Sequence, residues 1–352
     1  MMVMKKIWKM MAMTLVMGMT VSMAAGCGNQ GSTPQEPAND QKQAEQQAPE
    51  AKDMYTVGVV QLAEHDALTK ANKGFVDGLA AEGFEEGKNV TIDQKNAQGD
   101  QSNLQNIAQQ FSANKVDLVC AIATPAAQTM ASADGNIPIV ATAVTDYVDA
   151  KLAESNEAPG HNVTGTSDMN PVTDQIDLIL AIKPDTKIIG TIYTSSEVNS
   201  ELQVGIMRDY AESKGLKVEV ATVSTVNDIQ QAAQSLVNKN VDAIYVPTDN
   251  VVASAMPNLA GITDEYKLPI ICGEAAQVAN GGLATIGIDY YKLGLQTGEM
   301  AAKILRGEAT PAEMPIETLK DMTYTVNQEV ADRLGLTIPQ DILDQADIVG
   351  EK

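Results

Sequence analysis

The sequence predicts an α/β protein of two Rossmann-like lobes, each built on a parallel sheet. Three observations carry that expectation. Short β-branched runs alternate with longer stretches of helical spacing from Tyr55 onward, the series starts again near Lys187, and the two series share a local pattern offset by about 125 residues. A chain of 352 residues has room for two such lobes.

In the first series, Tyr55–Val60 (YTVGVV), Val90–Asp93, Val116–Ile122 (VDLVCAI) and Ile139–Ala143 read as buried strands bounded by polar residues or glycine. Leu68–Glu82, Ser102–Asn114 and Pro125–Ala133 read as helices, with Leu104, Ile107, Ala108 and Phe111 on one face. Gly83 and Gly135 are helix stops. The second series has strands at Lys187–Tyr193 (KIIGTIY), Lys217–Val223, Val241–Val246 (VDAIYV), Pro269–Cys272 and Ala284–Ile288. Helices near Glu201–Lys214, Asp228–Val237 and Ala253–Tyr266 separate them. Ile107-Ala108-Gln109-Gln110 through Val116-Asp117 is echoed by Ala232-Ala233-Gln234-Ser235 through Val241-Asp242. Each copy runs into a strand, a threonine (Thr124, Thr248), a helix and a Pro-apolar strand, which points to repeated lobes.

Composition narrows the function classes. The chain has 24 Lys and Arg against 46 Asp and Glu, a net charge of −22, and no basic cluster past the first ten residues. Nucleic acid is therefore not the expected partner, because its binding rests on basic patches. Nine of the 17 methionines fall in the first 26 residues, where Lys5, Lys6 and Lys9 precede an apolar run from Met10 to Met23. Charge and length make residues 1–26 a signal peptide, although a single membrane anchor is the competing reading. Residues 28–53 are rich in Gln, Pro, Ala and Glu and almost free of aliphatic side chains, the composition of a flexible spacer. Without the first 26 residues the chain keeps 21 basic and 46 acidic residues, a net charge of −25.

Enzyme signatures are missing where they would be required. The first strand runs into Gln61-Leu62-Ala63-Glu64-His65 instead of G-x-G-x-x-G, and no P-loop or G-x-S-x-G elbow occurs. His65 and His161 are the only histidines and neither has metal-ligand spacing, so no metal or cofactor is expected. Cys120 and Cys272 lie in or at the end of buried strands and read as core. No catalytic residue is assigned.

The small polar loops at the carboxyl ends of the strands remain, and ligands of open α/β sheets bind there. The first lobe offers Gln61, Glu64 and His65, then Thr124, Ala126, Ala127 and Gln128, then Thr145 and Asp146. From the second come Ser195, Ser196, Glu197 and Asn199, then Thr248, Asp249 and Asn250, then Glu274. Thr124 before Pro125 reads as an N-cap, so the amides of Ala126 and Ala127 sit in a helix N-terminus able to hold a carboxylate. Asp146, Asp249 and Glu274 offer acceptors for an ammonium group. That combination suits a zwitterion, while purely structural caps stay open for each residue. Tyr147, Tyr245, Tyr290 and Tyr291 are the candidates to stack on an aromatic ligand, because the only tryptophan is Trp8.

Two resemblances add to this reading. Met23-Ala24-Ala25-Gly26-Cys27 resembles the lipobox of bacterial lipoproteins, which implies lipidation of Cys27, a tether over 27–53 and an extracytoplasmic, membrane-anchored protein. Val59-Val60-Gln61-Leu62-Ala63-Glu64-His65, Ala71 to Leu79 (ANKGFVDGL), Asn96-Ala97-Gln98-Gly99-Asp100, Ala121 to Gln128 (AIATPAAQ), Tyr245 to Asn250 (YVPTDN) and Gly287 to Gly294 (GIDYYKLG) resemble the ABC transporter substrate-binding proteins that bind tryptophan, phenylalanine or tyrosine. That resemblance implies a type I periplasmic-binding-protein fold with three crossover segments, placed at Asn162–Ser167, Asp289–Tyr291 and Met322–Val326, and adds Asp289 to the ligand-binding candidates. The implied lobes are 54–162 with 292–321 and 163–291 with 322–352. It further implies capture of an amino acid between the lobes and delivery to a permease served by a separate ATPase. A sugar or nucleoside binder and a sensory module for a receptor are the alternatives.

Overall fold

The computed structural model describes residues 52–350. The signal peptide and Cys27 lie outside the described residues, as does all of the expected tether except Lys52 and Asp53.

In chain order the first lobe runs β1 (Tyr55–Gln61), α1 (Asp66–Ala81), β2 (Val90–Asn96), α2 (Gln101–Asn114), β3 (Leu118–Ile122), α3 (Thr124–Ala133), β4 (Ile139–Val144) and β5 (Val163–Ser167). The second runs α4 (Val172–Ile182), β6 (Ile188–Thr194), α5 (Val198–Ser213), β7 (Lys217–Val223), α6 (Ile229–Asn238), β8 (Ala243–Val246), α7 (Asn250–Ser254), α8 (Met256–Glu265), β9 (Ile270–Cys272), α9 (Ala275–Ala279) and β10 (Ala284–Gly287). The chain ends with α10 (Tyr290–Leu305), β11 (Glu317–Thr318), β12 (Thr323–Asn327), α11 (Gln328–Leu334), α12 (Gln340–Leu343) and β13 (Ala346–Val349).

The strands form two sheets, ordered β11-β5-β4-β3-β1-β2 and β13-β12-β10-β9-β8-β6-β7. Both contain the same doubly wound series, β2-β1-β3-β4-β5 and β7-β6-β8-β9-β10, in which β1 and β6 each lie between the strands that follow them. The order reverses beside β1 and β6, so crevices form at their carboxyl ends. Pairing is parallel throughout the first sheet. In the second, β12 runs antiparallel to β10 because it enters from the other lobe.

Strand alternation sorts the second core. Ala243 and Tyr245 of β8 face one apolar layer, and Ile244 and Val246 face the other. Cys120 and Cys272 are free and buried in the cores of opposite lobes, where burial pushes both thiols well above their usual range.

The first passage between the sheets differs from the expected one. Val163–Ser167 pairs with β4 and stays in the first sheet, so the lobe boundary falls after Ser167 and the passage is Asp168–Pro171. Threonine hides this strand from a hydropathy reading. Thr164 donates to Met314 O (2.7 Å), and Thr166 pairs with the hydroxyls of Thr142 (3.1 Å) and Thr297 (2.8 Å). The chain returns through Ile288 and Asp289 into α10 and leaves again between β11 and β12.

Helix α10 meets α1 backbone to backbone. A Cβ on Gly74 would lie 2.1 Å from Tyr291 O, and one on Gly294 would lie 2.1 Å from Ala71 O. Gly78 and Gly298 repeat the approach one turn further along. Gly294→Ala therefore lowers thermal stability, since an overpacking cost of about 1–3 kcal/mol exceeds the roughly 1 kcal/mol gained from helix propensity. Gly205→Ala in α5, where an added Cβ meets nothing within 4 Å, raises it by about 1 kcal/mol. Thermal denaturation of both variants reads the opposite signs.

Candidate functional site

The carboxyl ends of both sheets converge on a cavity of about 20 Å³, far below the roughly 300–1,000 Å³ usual for small-ligand sites, so the cleft is tightly shut in this form. His65, Ala67, Leu68 and Ala143 wall it from the first lobe. Asn199, Thr248, Asp249, Asn250, Ala253, Glu274 and Gln277 wall it from the second, and Asp168 and Tyr290 come from the segments between lobes.

The lobes touch across this cavity. His65 Nε2 lies 3.1 Å from Asn250 Oδ1, Thr145 Oγ1 lies 3.5 Å from Thr248 Oγ1, and Asn280 Nδ2 donates to Asp66 Oδ2 at 3.0 Å. Gln203 donates to Thr248 Oγ1 (2.6 Å) and reaches Thr145 Oγ1 (3.5 Å). These bonds describe a closed cleft.

Helix ends differ between its two sides. The N-cap positions of α1 and α3 are His65 and Ala123, and neither makes a side-chain cap. The first-turn N–H groups of Ala67 and Leu68 have no protein acceptor, so the dipole end of a 16-residue helix faces the cavity. Opposite, Asp249 caps α7 and Glu274 caps α9. Backbone strain marks the first-lobe wall as well: Ala143 has φ 55°, a conformation that favours glycine and collects at functional sites, and Ala123 at the start of α3 has φ 90°.

The buried acids are held in distinct ways. Asp249 accepts from Thr194 N (2.6 Å), Thr194 Oγ1 (2.8 Å), Ser200 Oγ (2.8 Å) and Val252 N (2.9 Å), which fills it with donors of its own lobe. Glu274 accepts from the backbone of Ala276 and from Gln277 N (3.0 Å). Burial lifts its carboxyl to about 7 against those amides. Glu197 accepts from Asn250 Nδ2 (2.6 Å), and burial together with the Asp249 charge lifts it to about 8. Asp168 accepts from Thr145 Oγ1 (3.0 Å) and Tyr290 OH (2.6 Å), and burial raises it despite both bonds. Burial also lowers His65 below its ordinary value, more than its Asn250 bond raises it.

Of the residues singled out from the sequence, His65, Asn199, Thr248, Asp249, Asn250 and Glu274 line the cavity. Thr145 and Glu197 stand behind them in the hydrogen-bond network. Glu64 and Ser196 are exposed on an outer groove between the lobes, and Ser195 is exposed beside them. The remaining candidates have other work. Gln61 donates to Ala63 O (2.8 Å) and accepts from Asn72 (3.1 Å), fastening α1 to β1. Asp146 caps a local turn through Val148 N and Asp149 N, and Asp289 is the exposed N-cap of α10. Gln128 donates to Ala150 O (2.9 Å).

Thr124 is the first residue of α3 and not its cap, because Ala123 takes the turn. It is buried with an unpartnered hydroxyl, but neither it nor Ala126 nor Ala127 is on the cavity wall. Among the four tyrosines only Tyr290 lines the cavity. Tyr147 and Tyr245 are core residues bonded to Ala141 O and Gln175, and Tyr291 bonds Asp77 on the outer face. Asp168 and Gln277 went unread; Asp168 follows a strand whose threonines concealed it.

Two lobes closing on a polar cavity define a solute-binding protein. Residues 56–349 match the model of the family described as ABC transporter substrate binding protein, and the chain belongs to that family. Its members work outside the cytoplasm and hand a small ligand to a membrane permease, and this chain is a binding subunit of that kind. It is 40% identical over 329 residues to a tyrosine-binding protein of Clostridioides difficile, covering 93% of this chain and 92% of that one. A Streptococcus pneumonia ABC domain solved in complex with L-Trp is 42% identical and superposes with a TM-score of 0.81, covering 84% of this chain and 99% of that one. The ligand-free, open structure of a Clostridium difficile substrate binding protein with adhesive properties is 43% identical but superposes at 0.66, covering 85% and 100%. The higher score thus falls to the relative solved with L-Trp and the lower to the one in a ligand-free, open form.

A pH dependence follows from the buried acids. Glu197 and Glu274 hold their protons to about 8 and about 7 when folded, against roughly 4.3 when unfolded. Their contribution to stability is fully present below the unfolded value and is lost as pH rises through the folded values. His65 has the opposite sign, since its lowered pKa costs stability as pH falls below about 6.5. Glu197→Gln should flatten the ligand-free melting temperature between pH 5 and 8, with its gain over the parent largest at pH 8.

Proposed function

We propose that this protein captures an aromatic amino acid as a zwitterion between its lobes and presents the closed form to its permease. The observation that carries the reading is the polarity of the cavity, with unblocked helix amides on the first-lobe wall facing buried oxygen acceptors opposite. Amides at a helix N-terminus hold a carboxylate, and a desolvated ammonium needs the acceptors. The tyrosine-binding relative and the L-Trp complex support the aromatic class. Tyr290 and Leu68 offer apolar surface for the side chain. A sugar site needs stacking platforms and few ionic groups, whereas this wall has one aromatic ring and three acids.

Residues 1–26 export the chain, Cys27 takes the lipid, and the segment to Asp53 tethers the binding domain. Capture without turnover completes the reading.

Two measurements test it. In a thermal-shift screen L-tyrosine, L-tryptophan and L-phenylalanine raise the melting temperature, because a ligand that binds only the folded state stabilises it by mass action. A shift given only by sugars or nucleosides contradicts the assignment. Cys27→Ser moves the exported protein from the membrane to the soluble fraction; unchanged membrane retention contradicts lipidation.

A further inference from the structure

We propose that Asp168 is the acceptor for the ligand's ammonium group and that, through Tyr290, it links recognition of that charge to the hinge. The inference rests on the amino-acid reading above and names the residue that reads the charge.

Four carboxyl groups are buried around the cleft, and three of them take backbone amides of the second lobe. Asp249 receives four donors of its own lobe, both Glu274 oxygens take α9 amides, and Glu197 takes the side chain and backbone of Asn250. Asp168 caps no helix and meets two side-chain hydroxyls, which leaves part of the about four acceptor positions of a carboxylate open. It is 3% exposed, lines the cavity and forms no ion pair among the described residues.

Two more acceptors on the wall are unfilled. Asn199, 5% exposed, has a buried Oδ1 without a partner. His65 Nδ1 is also unpartnered. Its role follows from its neighbours: Asn250 donates its amide hydrogen to Glu197, so Asn250 Oδ1 takes the proton of His65 Nε2, and Nδ1 of the neutral ring is left as an acceptor. An ammonium has three donors to give, and the wall contains no Lys or Arg to compete. Burial raises the Asp168 carboxyl above its usual range, and an arriving cation favours the ionised form.

The position of Asp168 adds the mechanical part. It begins the first passage between the lobes, while Tyr290 stands where the second enters α10. Their 2.6 Å bond joins the two passages, and Asn170 Oδ1 accepts from Ile288 N (3.2 Å) alongside. Thr145, the other donor to Asp168, touches Thr248 of the opposite lobe. A charge bound at Asp168 is thereby tied to the hinge and to a closure contact.

Calorimetry with L-tryptophan and with 3-(indol-3-yl)propionate, which keeps the ring and carboxylate but lacks the ammonium, tests the proposal. Asp168→Asn should weaken L-tryptophan about 30-fold or more and the analogue less than about 3-fold, in line with loss of one partner from a buried charge pair. Equal weakening of both ligands, or of neither, overturns the assignment. Tyr290→Phe, which keeps the carboxylate, should lower the ratio between the two ligands and reduce the ligand-induced drop in radius of gyration seen by small-angle scattering. Wild-type ratio and wild-type compaction in that variant overturn the hinge link. If the parent protein binds neither indole compound, the aromatic reading itself falls and takes the proposal with it.

Discussion

The backbone contact between α1 and α10 is the constraint on which the rest depends. Helix α10 starts at the second passage between the lobes, and α1 starts at the cavity with its free amides. Glycine at 74, 78, 294 and 298 removes the side chains that would separate them, so carbonyl groups of each helix pack against the other. A helix pair this close leaves little freedom to slide. The second passage between the lobes and the first-lobe wall of the cavity are thereby joined through one close-packed helix pair.

Across the cavity the two lobes have complementary electrical character. The first contributes the uncapped N-terminus of α1, and the second contributes acids whose charges are absorbed by its own helix ends and hydroxyls. Burying four acids around a cavity wall that carries no Lys or Arg opposes closure unless protons or a ligand cation compensate. Glu197 and Glu274 show that strain in their raised pKa values. A binding protein benefits from such an arrangement, because a closed state that is costly when empty makes closure report occupancy.

Much of the fold was legible because β-branched runs and helical spacing are local signals. The repeat of Thr124 and Thr248 behind similar helices marked two copies of one plan, and both copies proved to have the same strand order. Strand β5 escaped because its buried positions are threonines satisfied by partners far along the chain. The short strands β12 and β13 escaped because they pair with a sheet from which the chain had already departed. At the site, the loops could be found from topology, but not the role of each acid. Asp249 and Glu274 look like ligand acceptors in the sequence, and only tertiary structure shows their oxygens engaged by Thr194, Ser200 and the α9 amides. Thr124 lost its capping role to an alanine with positive φ, which no local pattern announces.

A crystal structure of the protein grown with L-tryptophan tests the central claim most directly. The ligand should lie in the cavity with its carboxylate on the Ala67 and Leu68 amides and its ammonium toward the Asp168 side, with α1 and α10 unmoved relative to each other. A ligand bound in the reverse orientation, or seated outside the cavity with the lobes apart, would contradict it.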